Sequence, residues 1–459
     1  MLVYNKEKRM LEPEEYHFEL QDVEEPNLLR DTFSYKDIPK ISFNGTVVPM
    51  NPPENIFMTD TTFRDGQQAF PPFTVKQIVD LFELMHKLGG PKGMIRQTEF
   101  FLYSEKDREA VRKCQEKGYK FPVITSWIRA TKSDFKLVKE MNIEETGILT
   151  SCSDYHIFLK LKKNRRQALE MYLDIVKAAL DEGIKPRCHF EDITRADFYG
   201  FVVPFASELM KLSKQYNMPI KIRACDTLGF GVAYPGCAMP RNVNGIMYGL
   251  THHAGVPSDW LEWHGHNDFY RALTNATFAW LYGCSGANGT LLGIGERTGN
   301  TPIEALAIEY VALRGDNNGM DLSVITEIAN YFKNELNYQI PSMQPLVGAH
   351  FNSTRAGIHA DGLLKEQEIY NIFDTHAILN RPPEVAITDR AGLAGIAYNI
   401  NTRHPAFKDG KNKIDKTHPG IVKINEEIVK QFDSGRVNAL DDNELFELIE
   451  KYIIAPKEK

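Results

Sequence analysis

From residue 55 to residue 315 the chain repeats one pattern. A short apolar run rich in β-branched residues is followed by a longer stretch whose apolar positions recur at helical spacing. The short runs predict strands at 56–61, 94–99, 122–127, 146–151, 187–191, 220–225, 261–266 and 289–292. The longer stretches predict helices, among them 75–88, 135–141, 166–182, 204–216 and 272–282, with Gly89-Gly90, Gly118 and Gly183 as C-terminal caps. Strand-then-helix order predicts a parallel sheet. Eight such units, in about the ~250 residues that the closed form takes, predict a (β/α)₈ TIM barrel. An open, doubly wound sheet is the alternative, because strand order alone does not show closure. After Gly315 the alternation stops. The expected organisation is an N-terminal extension at 1–52, polar and of mixed charge, that is available to pack on a partner, a barrel at 53–315, and a mainly helical module at 316–459. That module carries a Gly/His/Asp patch at 357–362 and a Lys-rich linker at 408–416.

Composition narrows the function classes. Net charge is −7, which argues against a nucleic-acid surface. No apolar run approaches the ~20 residues of a membrane span, and the charged N-terminus lacks a secretory apolar core. The six cysteines form no CxxC pair, so reduced thiols in a cytoplasmic protein are expected. Gly293-Ile294-Gly295-Glu296-Arg297-Thr298-Gly299 is a poor match to the dinucleotide fingerprint, with its glycines misplaced and at the end of the α/β run.

The sharpest chemical signal is His264-Gly265-His266. On a strand, residues two apart share a face, so both imidazoles project into one pocket and leave room for one ion. Imidazole suits a divalent metal, but two ligands rarely suffice. Asp65, on another predicted strand-to-loop edge, offers the carboxylate. Barrel closure would bring further polar residues to the same mouth: Arg64 and Gln68, Arg187, His189 and Glu191, Thr227, Glu262 and Asn300. Bland roles compete with these. Arg64 with Asp65 could be a salt bridge, Arg187 could pair with Glu191 or Asp192, and Cys188 and Cys225 read as barrel packing.

Three segments, "DTTFRDGQQ", "HGHND" and "GIGERTGN", carry a resemblance. In this order they resemble the signatures of the metal-dependent Claisen-type synthases and lyases built on a (β/α)₈ barrel. That family includes 2-isopropylmalate, homocitrate and citramalate synthases and hydroxymethylglutaryl-CoA lyase. "AGIHADGLLKEQEIY" resembles the synthases' lid subdomain, which the lyases lack. In finer stretches such as "IRQTEFFLYS" the chain looks closest to the Re-citrate synthases.

The resemblance implies roles residue by residue. Asp65, His264 and His266 match metal ligands, and Asn300 matches a residue at or near the metal. Arg64 matches an arginine that stabilises enolate or alkoxide charge. Gln68 and Glu191 match groups lining the acceptor and acetyl sites, Thr227 one that holds the oxo acid's carboxylate, and Glu262 a glutamate of homocitrate synthase. His359 and Tyr370 match a lid pair proposed for acid/base work. Arg187, with His189 two residues on, suits the second carboxylate of a dicarboxylic acceptor, which favours oxaloacetate. The implied reaction condenses acetyl-CoA with a 2-oxo acid at a divalent cation (Mg, Mn, Co or Zn), followed by thioester hydrolysis. Small-molecule substrates and a homodimer are implied as partners. Homocitrate, isopropylmalate or citramalate synthesis, a lyase direction, and a scaffold that lost its chemistry are the competing readings.

Overall fold

A computed structural model describes the backbone of residues 2–5 and 10–13 and the whole of residues 18–455. The chain divides into two compact units, Met1–Asp321 and Leu322–Lys459. In the first, eight strands form one closed, all-parallel barrel. They are β1 Phe57–Asp60, β2 Ile95–Phe100, β3 Val123–Ile128, β4 Glu145–Ser151, β5 Lys185–Glu191, β6 Lys221–Asp226, β7 Leu261–Gly265 and β8 Gly286–Gly289. Each is followed by a helix: α1 Val75–Gly89, α2 Glu105–Glu116, α3 Phe135–Glu140, α4 Arg165–Asp181, α5 Val203–Tyr216, α6 Val243–Tyr248, α7 Ala272–Leu281 and α8 Ile303–Arg314.

Local chemistry sets the helix ends. Thr74, Ser104 and Asn164 begin α1, α2 and α4 with reciprocal capping boxes, each satisfying two otherwise orphaned backbone N–H groups. Gly90, at φ 66°, ends α1 in a conformation that costs glycine least. The buried face of α1, including Ile78, Leu81, Met85 and Leu88, is the stripe that helical periodicity predicts.

Strand eight departs from expectation. The pairing strand is the Gly-Ala-Asn-Gly segment Gly286–Gly289, not 289–292. The apolar Leu291 and Leu292 instead enter a tight turn, with Leu292 at φ 54°. Pairing decided this: Gly286 lies beside both Phe57 and Glu262, and Asn288 beside His264. Two neighbouring strands supply a ladder that the segment's own weak β propensity could not.

Residues 18–54 run along their own barrel. The Asn27 N–H donates to Asp154 Oδ2 at 2.7 Å, and the Asn51 N–H to the Leu281 carbonyl at 3.0 Å. Arg314 Nη2 donates to the carbonyls of Pro53 and Glu54 at 2.9 and 2.7 Å. Residues 2–5 and 10–13 form an antiparallel pair.

The second unit is mainly helical: α9 Val324–Asn334, α10 Gly357–Lys365, α11 Thr375–Leu379, α12 Gly392–Arg403, α13 Pro419–Asp433 and α14 Asp442–Ile449. Ile396, Ile400, Ile421, Ile424, Ile428 and Ile449 form its core. Ser353–Thr354 and Glu384–Val385 add a two-stranded parallel pair. The Lys-rich stretch 408–416 links α12 to α13 in turns.

Candidate active site

The twin histidines sit at the C-terminal end of β7, both buried. Their Nε2 atoms lie 3.2 Å apart. Asp65 reaches the same point from beyond β1. The Thr61 carbonyl accepts the N–H groups of Arg64, Asp65 and Gly66, at 3.1, 2.8 and 3.2 Å, and this turn folds Asp65 back over the barrel mouth. Its Oδ2 stands 3.7 Å from His264 Nε2 and 3.6 Å from His266 Nε2. Asn300, bridged to His266 through its backbone, donates from Nδ2 to the same oxygen at 2.8 Å. The expected quartet therefore meets at one place.

A divalent cation fits this donor set. One carboxylate oxygen and two ring nitrogens, all within 4.8 Å of one another, have the spacing of donors each about 2.0–2.2 Å from a shared ion. The protonation states also fit. Burial pushes both imidazoles below their ordinary value, against the pull of Asp65. Burial would raise Asp65, but Arg64 and the two histidines hold its carboxyl well below the usual range. Neutral imidazole and ionised carboxylate are the ligating forms. His264 Nδ1 lies 2.7 Å from Asn288 Oδ1, while Asn288 Nδ2 donates to Thr59 Oγ1 at 2.9 Å. The amide's orientation thus puts the His264 proton on Nδ1 and leaves Nε2 free.

Beneath the mouth lies an ionic network. Arg64 Nε and Arg223 Nη1 donate to Glu99 Oε2 at 2.8 and 3.0 Å. Arg223 Nε also donates to Glu262 Oε2 at 2.9 Å. Glu262 accepts the Thr59 hydroxyl, and Arg187 Nε stands 3.5 Å from it. Arg187 donates to Gln97 and Glu145, and Lys221 completes the set on Glu145 at 2.7 Å. Arg187 is thus paired, with carboxylates other than Glu191 or Asp192. Burial raises Glu99 and Glu262, but their arginines overcome it: Glu99 lies well below the usual range and Glu262 is brought to about 2. His189 Nε2 lies 3.3 Å from Glu99 Oε1. Burial and Arg223 bring that imidazole down to about 4. His189 Nε2, Arg187 Nη1 and Glu99 Oε1 are buried with no hydrogen-bond partner among the described residues.

Of the other expected residues, Glu191, Thr227 and Gln68 lie at or beyond the C-terminal ends of their strands. Glu191 accepts the Ser151 hydroxyl and lies 3.1 Å from His156 Nδ1. Burial raises its carboxyl, yet His156 and Ser151 bring it to about 2. Thr227 Oγ1 accepts the Asp192 N–H at 2.8 Å. Gln68 is exposed. His359 and Tyr370 belong to the second unit, where their rings pack 4.4 Å apart and His359 Nδ1 lies 3.1 Å from Thr354 Oγ1. Both line a cavity of about 610 Å³ there, with Phe351 and Leu363. Arg223, Glu145 and Asn288 are the site-building residues the sequence reading missed. Arg223, set between the apolar Ile222 and Ala224 in mid-strand, was the available signal.

Residues 55–332 match the HMGL-like family model. The chain is 59% identical to a citrate (Re)-synthase of Syntrophus aciditrophicus, over 99% of this chain and 72% of that one. It is 55% identical to a citrate (Re)-synthase of Clostridium kluyveri, over 95% and 96%. The chain belongs to the citrate (Re)-synthases of the HMGL-like family. It is an enzyme, an acyltransferase. A 2-phosphinomethylmalate synthase of Streptomyces hygroscopicus is more distant, at 33% identity over 94% of this chain and 98% of that one. A solved hydroxymethylglutaryl-CoA lyase of Pseudomonas aeruginosa shares the fold, at 17% identity and a TM-score of 0.50, over 63% of this chain and 96% of that one.

Proposed function

We propose that the enzyme condenses acetyl-CoA with oxaloacetate and hydrolyses the resulting thioester to citrate and CoA. The carrying observation is the convergence of Asp65, His264 and His266, with Arg64 Nη1 3.0 Å from Asp65 Oδ1. Asp65, His264, His266 and Asn300 would hold a divalent cation, which when bound polarises the carbonyl of a 2-oxo acid. Arg64 lies beside the same point and offsets oxyanion charge without moving. Gln68, Arg187, His189 and Thr227 are assigned to the substrates. His189 Nε2 and Arg187 Nη1, which face Glu99 Oε1 at 3.3 and 3.7 Å and make no closer contact, are the groups assigned to a dicarboxylate's second carboxylate. Glu191 and Glu262 are assigned to catalysis with Arg64. Their neighbours hold both ionised at neutral pH, where each accepts hydrogen bonds and orients its donors. His359 and Tyr370 are assigned to acid/base work. The six free, buried cysteines suit a reducing cytoplasm, and a homodimer is the assembly assigned. Among the described residues, no helix is long and apolar enough to cross a membrane.

The test is a panel of 2-oxo acids with acetyl-CoA and Mn²⁺, read by release of free CoA. Oxaloacetate is the expected acceptor, and labelled acetate should give the Re-face citrate. Turnover of 2-oxoisovalerate without oxaloacetate would overturn the proposal.

A further inference from the structure

The N-terminal extension walls a cavity of about 500 Å³ at the barrel mouth. Arg30, Phe33 and Tyr35 form one side, and Tyr155 and Arg195 form another. Asp268 and Arg297, two residues after His266 and three before Asn300 in the chain, form a third. The wall is anchored. The Tyr155 hydroxyl donates to the Leu28 carbonyl at 2.7 Å, and Arg241 Nη1 to the carbonyls of Pro39 and Lys40 at 3.1 and 2.7 Å. Phe33 is buried against Phe230, their rings edge to face at 6.0 Å.

The charges are uneven. Arg195 is held bidentately by Asp192, at 2.9 and 2.8 Å, and Arg297 by Asp268, at 2.8 Å. Arg30 pairs with no carboxylate among the described residues, and its Nη1 reaches only the Phe33 carbonyl at 3.4 Å. Asp37, also on the lining, is turned to the Ser34 hydroxyl at 3.3 Å. Arg30 and Arg195 both stand over the Tyr155 ring, at 5.7 and 4.0 Å. Two guanidiniums thus stand on one ring, and of the three arginines on the lining Arg30 is the one left without a carboxylate partner among the described residues. A ligand with an apolar arm and an anionic group suits that lining.

We infer that this cavity receives the coenzyme A arm of the thioester co-substrate, with a phosphate group at Arg30 and the acyl end toward Asp65, His264 and His266. The inference rests on the proposed function for its ligand. It makes the extension part of the binding site, not a mere appendage. The test compares the parent enzyme with Arg30→Ala and Arg30→Lys, using acetyl-CoA and S-acetylpantetheine, which lacks the phosphates. Calorimetric titration with CoA accompanies the kinetics. Arg30→Ala should weaken CoA binding and raise KM for acetyl-CoA roughly tenfold. Arg30→Lys should recover part of the loss, while KM for S-acetylpantetheine and for the oxo acid stays unchanged. Unaltered CoA binding in Arg30→Ala, or an equal loss with both thioesters, would overturn the inference. Arg30-dependent CoA binding in a parent protein that turns over no acetyl-CoA would uphold the inference and sink the proposed function instead.

Discussion

Asn288 governs which nitrogen of His264 is available. Its amide joins His264 Nδ1 to the Thr59 hydroxyl, which in turn donates to Glu262. One hydrogen-bonded chain thus runs from the buried Glu262 carboxylate to the His264 ring. Replacing such an outer partner typically costs 10–100-fold in metal affinity. Asn288→Ala should lose about that much Mn²⁺ affinity by calorimetric titration, with the far-UV circular dichroism unchanged. Equal affinity would remove Asn288 from the site. The HxH spacing made the histidine pair legible, but not this partner. The expected strand began at 289, one residue beyond Asn288, because the apolar Leu291-Leu292 drew the strand forward.

At the scale of an element, β4 shows how a strand makes room for a neighbour's side chain. Gly147 lies where a Cβ would stand 2.6 Å from His189 Nε2 and 3.0 Å from Glu99 Oε1. Its lack of a side chain lets the β5 imidazole lie across β4 toward Glu99. Gly147→Ala should leave the barrel folded but push His189 off its rotamer, a cost of about 0.5–1.5 kcal/mol. KM for the oxo acid should then rise up to about tenfold while KM for acetyl-CoA holds. Equal shifts in both would show a general distortion instead. Period-two alternation told which residues face inward, and so marked Arg187 and His189. It could not tell their partners. Arg187 meets Glu145, the first residue of β4, because strand tilt and register bring those two positions together.

At the scale of the whole molecule, stability should depend on pH through a carboxyl outside the Asp65, His264 and His266 cluster. Glu304, near the start of α8, is buried and accepts the Leu292 N–H at 3.0 Å. Burial pushes its carboxyl from 4.5 up to about 7. The folded state therefore holds a proton that the unfolded chain releases first. Its favourable contribution is complete below pH 4.5 and is lost as pH rises through about 7. Glu304→Gln should melt at a higher temperature than the parent at pH 8, and at nearly the same temperature near pH 4.5. A constant difference across that range would refute the assignment. By itself, the sequence determined the strand-helix alternation and the helical second module, and it singled out Asp65, His264 and His266 as candidate ligands. Periodicity and short motifs are local, and each is set by residues a few positions apart. Only the tertiary structure decided that the barrel closes, that β8 is the glycine-rich segment, and which arginine meets which carboxylate. Those outcomes depend on residues far apart in the chain, whose geometry exists only after every strand has found its neighbours.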